Sequence, residues 1–144
     1  MMWRRWSIFL LFAWLVWTVP LTAVGTATVT NFNAVYTIAW TSSAGGVVSA
    51  NSFSIRRGTI TQVKFVPGSG GAQPSDLYDV TLVDADGLDL LGGLGANLSN
   101  AAPVGVTDLH ISVVSPTATN LTLDLQVANA GSTKSGTVYL WVQP

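Results

Sequence analysis

Two groups of side chains in this chain could in principle do chemistry. The first is a row. The segment Thr107 to Val114 alternates as a strand, with Leu109, Ile111 and Val113 on one side and Asp108, His110 and Ser112 on the other. An acid, an imidazole and a hydroxyl are the ingredients of a hydrolase triad, in which the acid orients the histidine and the histidine deprotonates the nucleophile. Strand geometry works against it, because residues two apart on one face hold their Cβ atoms about 6–7 Å apart. No Gly-x-Ser-x-Gly sequence marks a strained nucleophile elbow. The row therefore reads as a solvent-facing strand edge, and no catalytic residue is assigned.

The second group is a cluster. Asp76, Asp79, Asp84, Asp86 and Asp89 fall close together, and Asp84-Ala85-Asp86-Gly87-Leu88-Asp89 looks like part of a calcium loop. Calcium takes several carboxylate and carbonyl oxygens. An EF-hand loop also needs a third ligand in step and a bidentate Glu, and this chain has no Glu. Asp84, Asp86 and Asp89 are weak calcium candidates. The plainer reading is a hairpin turn whose Asp side chains hydrogen-bond the backbone. Gly92-Gly93-Leu94-Gly95 lacks the Lys-Ser/Thr ending of a phosphate loop. Asn97-Leu98-Ser99 and Asn120-Leu121-Thr122 match the glycosylation sequon, a pattern common by chance. With no Cys, thiolate zinc sites and Cys nucleophiles are excluded. No cofactor is expected.

The elements that must position these groups follow from composition and period. The chain has 144 residues, 49% apolar and 9% charged, which suits one domain with ample core. So few charges also favour burial of some surface in an assembly. Seven Asp against six Lys and Arg leave a net charge of −1, with no basic footprint for nucleic acid. Residues 1–27 differ from the rest. Arg4 and Arg5 precede an apolar run from Trp6 to Val24, and Gly25-Thr26-Ala27 closes it with small residues. This is the layout of a signal peptide, and the run is also long enough to anchor in a bilayer. An N-terminal extension from a wrongly chosen start, or an apolar arm buried in an assembly, are further readings. Any membrane contact would come through these residues alone.

Residues 28–144 read as short strands between turns, with no helical period of useful length. Strands are predicted at 34–42, 59–66, 77–83, 107–114, 119–128 and 136–142. A short irregular pair is predicted at 47–49 and 52–56 around Ala50-Asn51, and a brief return at 88–91. Asp84 to Gly87 forms a hairpin turn, with Gly87 in a left-handed position. Stretches 67–75 and 92–105 are small-residue loops free to reach a neighbour. Seven to eight such strands make a single all-β domain, a jelly-roll-like β-sandwich. On the last strand Val138, Leu140 and Val142 face the core, which turns Tyr139 and Trp141 outward. Neighbouring outward aromatics suit contact with another chain or a ligand. The alternative is a strand covered on both faces by its own domain.

Several segments together resemble small structural proteins of tailed-bacteriophage virions. They are Tyr36 to Ser42, Gly58 to Val63, the Gly/Pro loop Pro67 to Asp76, the run Leu77 to Leu91, Gly95 to Asn100, Val127 to Gly131 and Gly136 to Leu140. The resemblance spans residues 34–143. It implies a β-sandwich component of the particle, either a capsid decoration (cement) protein or a small head-tail component, with no catalytic residues. Its partners would be capsid or tail subunits, and further copies of itself, as a trimer at local three-fold positions. The signal-like N-terminus departs from that pattern. It favours a different setting: a secreted, periplasmic or surface-anchored bacterial β-sandwich that binds carbohydrate or cell surface, with the aromatics stacking on sugar rings.

Overall fold

Alternation with period two, broken at a few bulges, builds the whole molecule. The computed structural model describes residues 25–32, 34–113 and 120–144. The expectations placed on residues 1–24 lie outside these residues. Nine strands are described: β1 Thr26–Phe32, β2 Val35–Thr41, β3 Val48–Arg56, β4 Gly58–Pro67, β5 Asp79–Val83, β6 Val104–Val106, β7 Ile111–Val113, β8 Asn120–Ala128 and β9 Ser135–Gln143. They form two antiparallel sheets. The larger runs β1-β2-β9-β4, with β6 and β7 both paired to the far side of β4, and the smaller runs β3-β8-β5.

The chain is thus an all-β sandwich. Tyr36, Ile38 and Trp40 of β2, Val138, Leu140 and Val142 of β9, and Ile60, Val63 and Phe65 of β4 face inward from the large sheet. Phe53 and Ile55 of β3, Leu123, Leu125 and Val127 of β8, and Val80 and Leu82 of β5 meet them from the small sheet. All belong to one core cluster. The Tyr36 hydroxyl ties the two layers by accepting the Arg56 backbone N–H at 2.9 Å. Trp40 lies directly across from Gly136, and a Cβ built on that glycine would stand 2.6 Å from the indole. A glycine opposite an aromatic lets the ring lie flat over the backbone.

Several sequence expectations need correction. Strand β1 was not foreseen, and the boundary expected after Ala27 falls inside it. Where a short irregular pair is expected at 47–49 and 52–56, Val48–Arg56 make one strand. A register shift between Val48 and Asn51 inserts a bulge, which explains the odd spacing of the inward residues Val48 and Phe53. Residues 88–91 contribute one isolated bridge, Val83 to Asp89, in place of a strand. Of the described residues in the strand expected at 107–114, Ile111–Val113 form a strand, and β6 begins in the stretch read as loop. Asp108 takes a positive φ of 59°, and between β6 and β7 residues 107–110 stand opposite only Thr61 and Gln62, with Leu109 N–H donating to the Thr61 carbonyl at 3.0 Å.

The two loops are also more firmly held than expected. Gly95 is pressed against β5: a Cβ there would sit 2.1 Å from the Val80 carbonyl oxygen. The Gly95 carbonyl accepts the Val80 N–H at 2.7 Å, and Leu98 is buried beside Tyr78. The other loop contains a short 3-10 turn, Gly70–Ala72. The loops clasp each other through Gln73 Nε2, which donates to the Asn100 carbonyl at 2.8 Å, and Asn100 Nδ2, which donates to the Pro74 carbonyl at 3.1 Å.

Candidate functional site

The row Asp108, His110 and Ser112 does not assemble. Its alternation ends at the left-handed Asp108, and the His110 ring meets the backbone carbonyl of Asp108 at 3.2 Å, not its carboxylate. All three residues are exposed. The acid–histidine contact that a triad needs is therefore not made between Asp108 and His110.

Four of the five clustered aspartates, Asp76, Asp79, Asp84 and Asp89, accept backbone N–H groups. Asp84 Oδ1 accepts the N–H groups of Asp86 and Leu88 at 3.0 and 2.9 Å, closing the turn in which Gly87 has a φ of 85°. Asp89 accepts three N–H groups: Leu82 and Leu91 at 3.1 Å on Oδ1, and Gly93 at 3.0 Å on Oδ2. Asp79 accepts Asn97 N–H and Asn129 Nδ2, each at 2.8 Å. These carboxylates hold the loops that flank β5. Among the described residues no three carboxylate or imidazole side chains converge as metal ligands would.

The outward face of the large sheet is different. Strict alternation along β9 buries Val138, Leu140 and Val142 and places Tyr139 and Trp141 on the opposite side, half-buried. Their ring centroids are 6.1 Å apart with planes inclined at 37°. Register supplies their neighbours. Trp141 is flanked by Val35 of β2 and Gln62 of β4, Tyr139 by Thr37 and Lys64, and Thr137 by Ala39 and Val66. A bulge in β4 between Ile60 and Gln62 keeps Gln62 and Lys64 on this face while Ile60 and Val63 stay in the core. The Thr61 hydroxyl also donates to the Trp141 carbonyl at 3.4 Å. The result is a patch of two large rings bordered by small side chains, with Lys64 as its one charged member.

The outward face of the small sheet carries Ser52, Ser54, Thr81, Thr122, Asp124 and Gln126 instead, with Ser52 hydrogen-bonded to Asp124. Val83 and Ala128 are its apolar members, and it carries no aromatic ring. Tyr78 lies in the core, 1% exposed. Burial pushes its phenol up to about 12, since a phenolate there would lose its hydration. It stacks at 5.8 Å from Trp40 within the core, away from either outward face. No family model matches the chain, nor does any curated protein or solved structure.

Proposed function

We propose that this protein is a non-enzymatic assembly module that docks through the outward face of its large sheet. The observation carrying the proposal is the aromatic pair. Tyr139 and Trp141 sit side by side, half-buried, on a sheet face with one charge. Paired rings of this kind serve as anchors in protein interfaces, where a few aromatic residues supply most of the binding energy. The resemblance of residues 34–143 to tailed-phage virion proteins suggests the setting: a capsid decoration or small head-tail component whose partners are capsid or tail subunits. The same tilted pair also suits stacking on a sugar ring, which supports the second reading of a secreted or surface-anchored binding module.

Trp141→Ser tests the proposal. Association with purified capsid or tail subunits, followed by light scattering, weakens roughly 30-fold or more if Trp141 is an anchor worth about 2 kcal/mol. Circular dichroism stays that of the parent, because the Trp141 ring lies on the outward face, beside Tyr139, Val35 and Gln62, and outside the core cluster. Unfolding by this one change would move Trp141 into the core and end the proposal. Unchanged association with particle subunits, alongside lost retention on immobilised polysaccharide, would favour the second reading.

A further inference from the structure

A β-sheet sandwich has four exposed edges, and each presents unpaired backbone groups that invite another strand. Three of the four edges here are blunted. On the large sheet, the edge formed by β6 and β7 is short and broken at the left-handed Asp108. On the small sheet, β3 carries the bulge at Val48 to Asn51 and ends in Arg56. The remaining edge of that sheet, β5, is covered by its own loop. There Val80 N–H donates to the Gly95 carbonyl, Leu82 N–H to Asp89, and Leu90 N–H to the Leu82 carbonyl.

Strand β1 has none of these devices. Its sequence, Thr-Ala-Thr-Val-Thr-Asn-Phe, holds no charge, Pro or Gly, and its seven residues pair with β2 without a register shift. It ends the strand order of the large sheet among the described residues. The strand also has a symmetric pattern. Thr26, Thr28 and Thr30 share the exposed face, and Ala27, Val29 and Asn31 share the other. An antiparallel copy centred on Val29 would set Thr28 across from Thr30 of that copy and Val29 across from itself. Cross-strand Thr–Thr and β-branched pairs are favourable.

We propose that β1 pairs antiparallel with β1 of a second copy of this chain, joining two large sheets into one across a two-fold axis. The occupant is a second copy because the centre of the strand, Thr28-Val29-Thr30, matches itself when reversed, and because among the described residues this edge alone lacks protection. The outward faces bearing Tyr139 and Trp141 then lie on the same side of the joined sheet, since a two-fold axis normal to a sheet preserves its sides. The pairing does not depend on the docking role proposed for those aromatics.

The chain contains no Cys, so a single introduced thiol reports on one place only. Directly opposed residues of an antiparallel pair have Cα atoms about 4.5–5.5 Å apart, within reach of a disulfide. Full-length chain carrying Val29→Cys should run at twice its mass on a non-reducing gel, while Ser112→Cys on the broken edge stays at single mass. Adding Thr28→Lys and Thr30→Lys, both at exposed positions, should cut the cross-linked fraction about tenfold by opposing like charges. The same two lysines without the cysteine should halve the mass seen by light scattering and leave the melting temperature in place. A Val29→Cys chain that stays monomeric, equal cross-linking at Ser112→Cys, or indifference to the lysines would each overturn the pairing. Trp141→Ser leaves the cross-link intact, so failure of the docking face and failure of this edge are told apart.

Discussion

Gly136→Ala is the sharpest test of how the sandwich is packed. Gly136 sits opposite Trp40, and a methyl there would meet Cζ2 at 2.6 Å, Cε2 at 2.8 Å and Nε1 at 3.0 Å of the indole. These are contacts that real Cβ atoms do not make, so the indole or the backbone must move. The indole cannot move freely, because Trp40 is 3% exposed and stacks on Tyr78, itself 1% exposed. Overpacking a site of this kind costs about 1–3 kcal/mol. For a β domain of this size that is a fall of roughly 4–12 °C in melting temperature. The backbone of β9 tolerates alanine otherwise, so the penalty belongs to the ring. Trp40→Phe removes much of the indole, and in that background Gly136→Ala should cost less than about 0.5 kcal/mol. Thermal unfolding followed by circular dichroism measures all four members of the cycle. Equal cost of the alanine with Trp or Phe at position 40 would refute the contact as its cause.

Two further outcomes are expected. Removing the aspartates should rank by the backbone groups each one holds: Asp89→Ala should cost about 2 kcal/mol for three orphaned N–H donors, Asp84→Ala about 1, and Asp86→Ala close to nothing. Chelator should not change the order in a chemical denaturation series; a chelator-dependent loss shared by all three variants would restore the calcium reading. The phenol of Tyr78 is raised from 10.0 to about 12 by burial. The unfolded chain then loses this proton at lower pH than the folded one, so stability is intact below about pH 10 and declines toward pH 12. Tyr78→Phe should flatten that decline in melts across the alkaline range, and an unaltered decline would assign it to other groups.

What the sequence made legible depends on how strictly each strand alternates. In β9 every second residue from Val138 to Val142 is a large aliphatic, so the sidedness of Tyr139 and Trp141 is legible directly, and the structure places Val138, Leu140 and Val142 in the core. The same holds for β8, with Leu123, Leu125 and Val127 inward. Strand β1 escaped notice because its inner positions are Ala27, Val29 and Asn31, too small or polar to give a hydrophobic period. The apolar run before it also drew the boundary to itself. The bulge in β3 put Val48 and Phe53 five residues apart yet on one face, which no period-two template matches. The edge at 104–113 was misplaced because a positive φ leaves no trace in hydrophobic pattern; Asp is among the residues that tolerate it. Loop 92–105 looked free because its residues are small. Gly95 is small for the opposite reason: the Val80 carbonyl leaves no room for a side chain.

The distribution of charge ties these pieces together. The four principal strands of the large sheet, β1, β2, β4 and β9, contain Lys64 and no other charged residue. All seven aspartates lie elsewhere: in the small sheet, in the turns and loops around β5, or at the bend between β6 and β7. Carboxylates that accept backbone N–H groups fasten those loops and keep that half of the molecule hydrated. The large sheet is left with little to hold water on its outer face or on its β1 edge. Removing water from either surface therefore carries a small desolvation penalty, since no ionised group but Lys64 must give up its hydration. That difference between the halves is the physical reason to place both proposed contacts on the large sheet and neither on the small one.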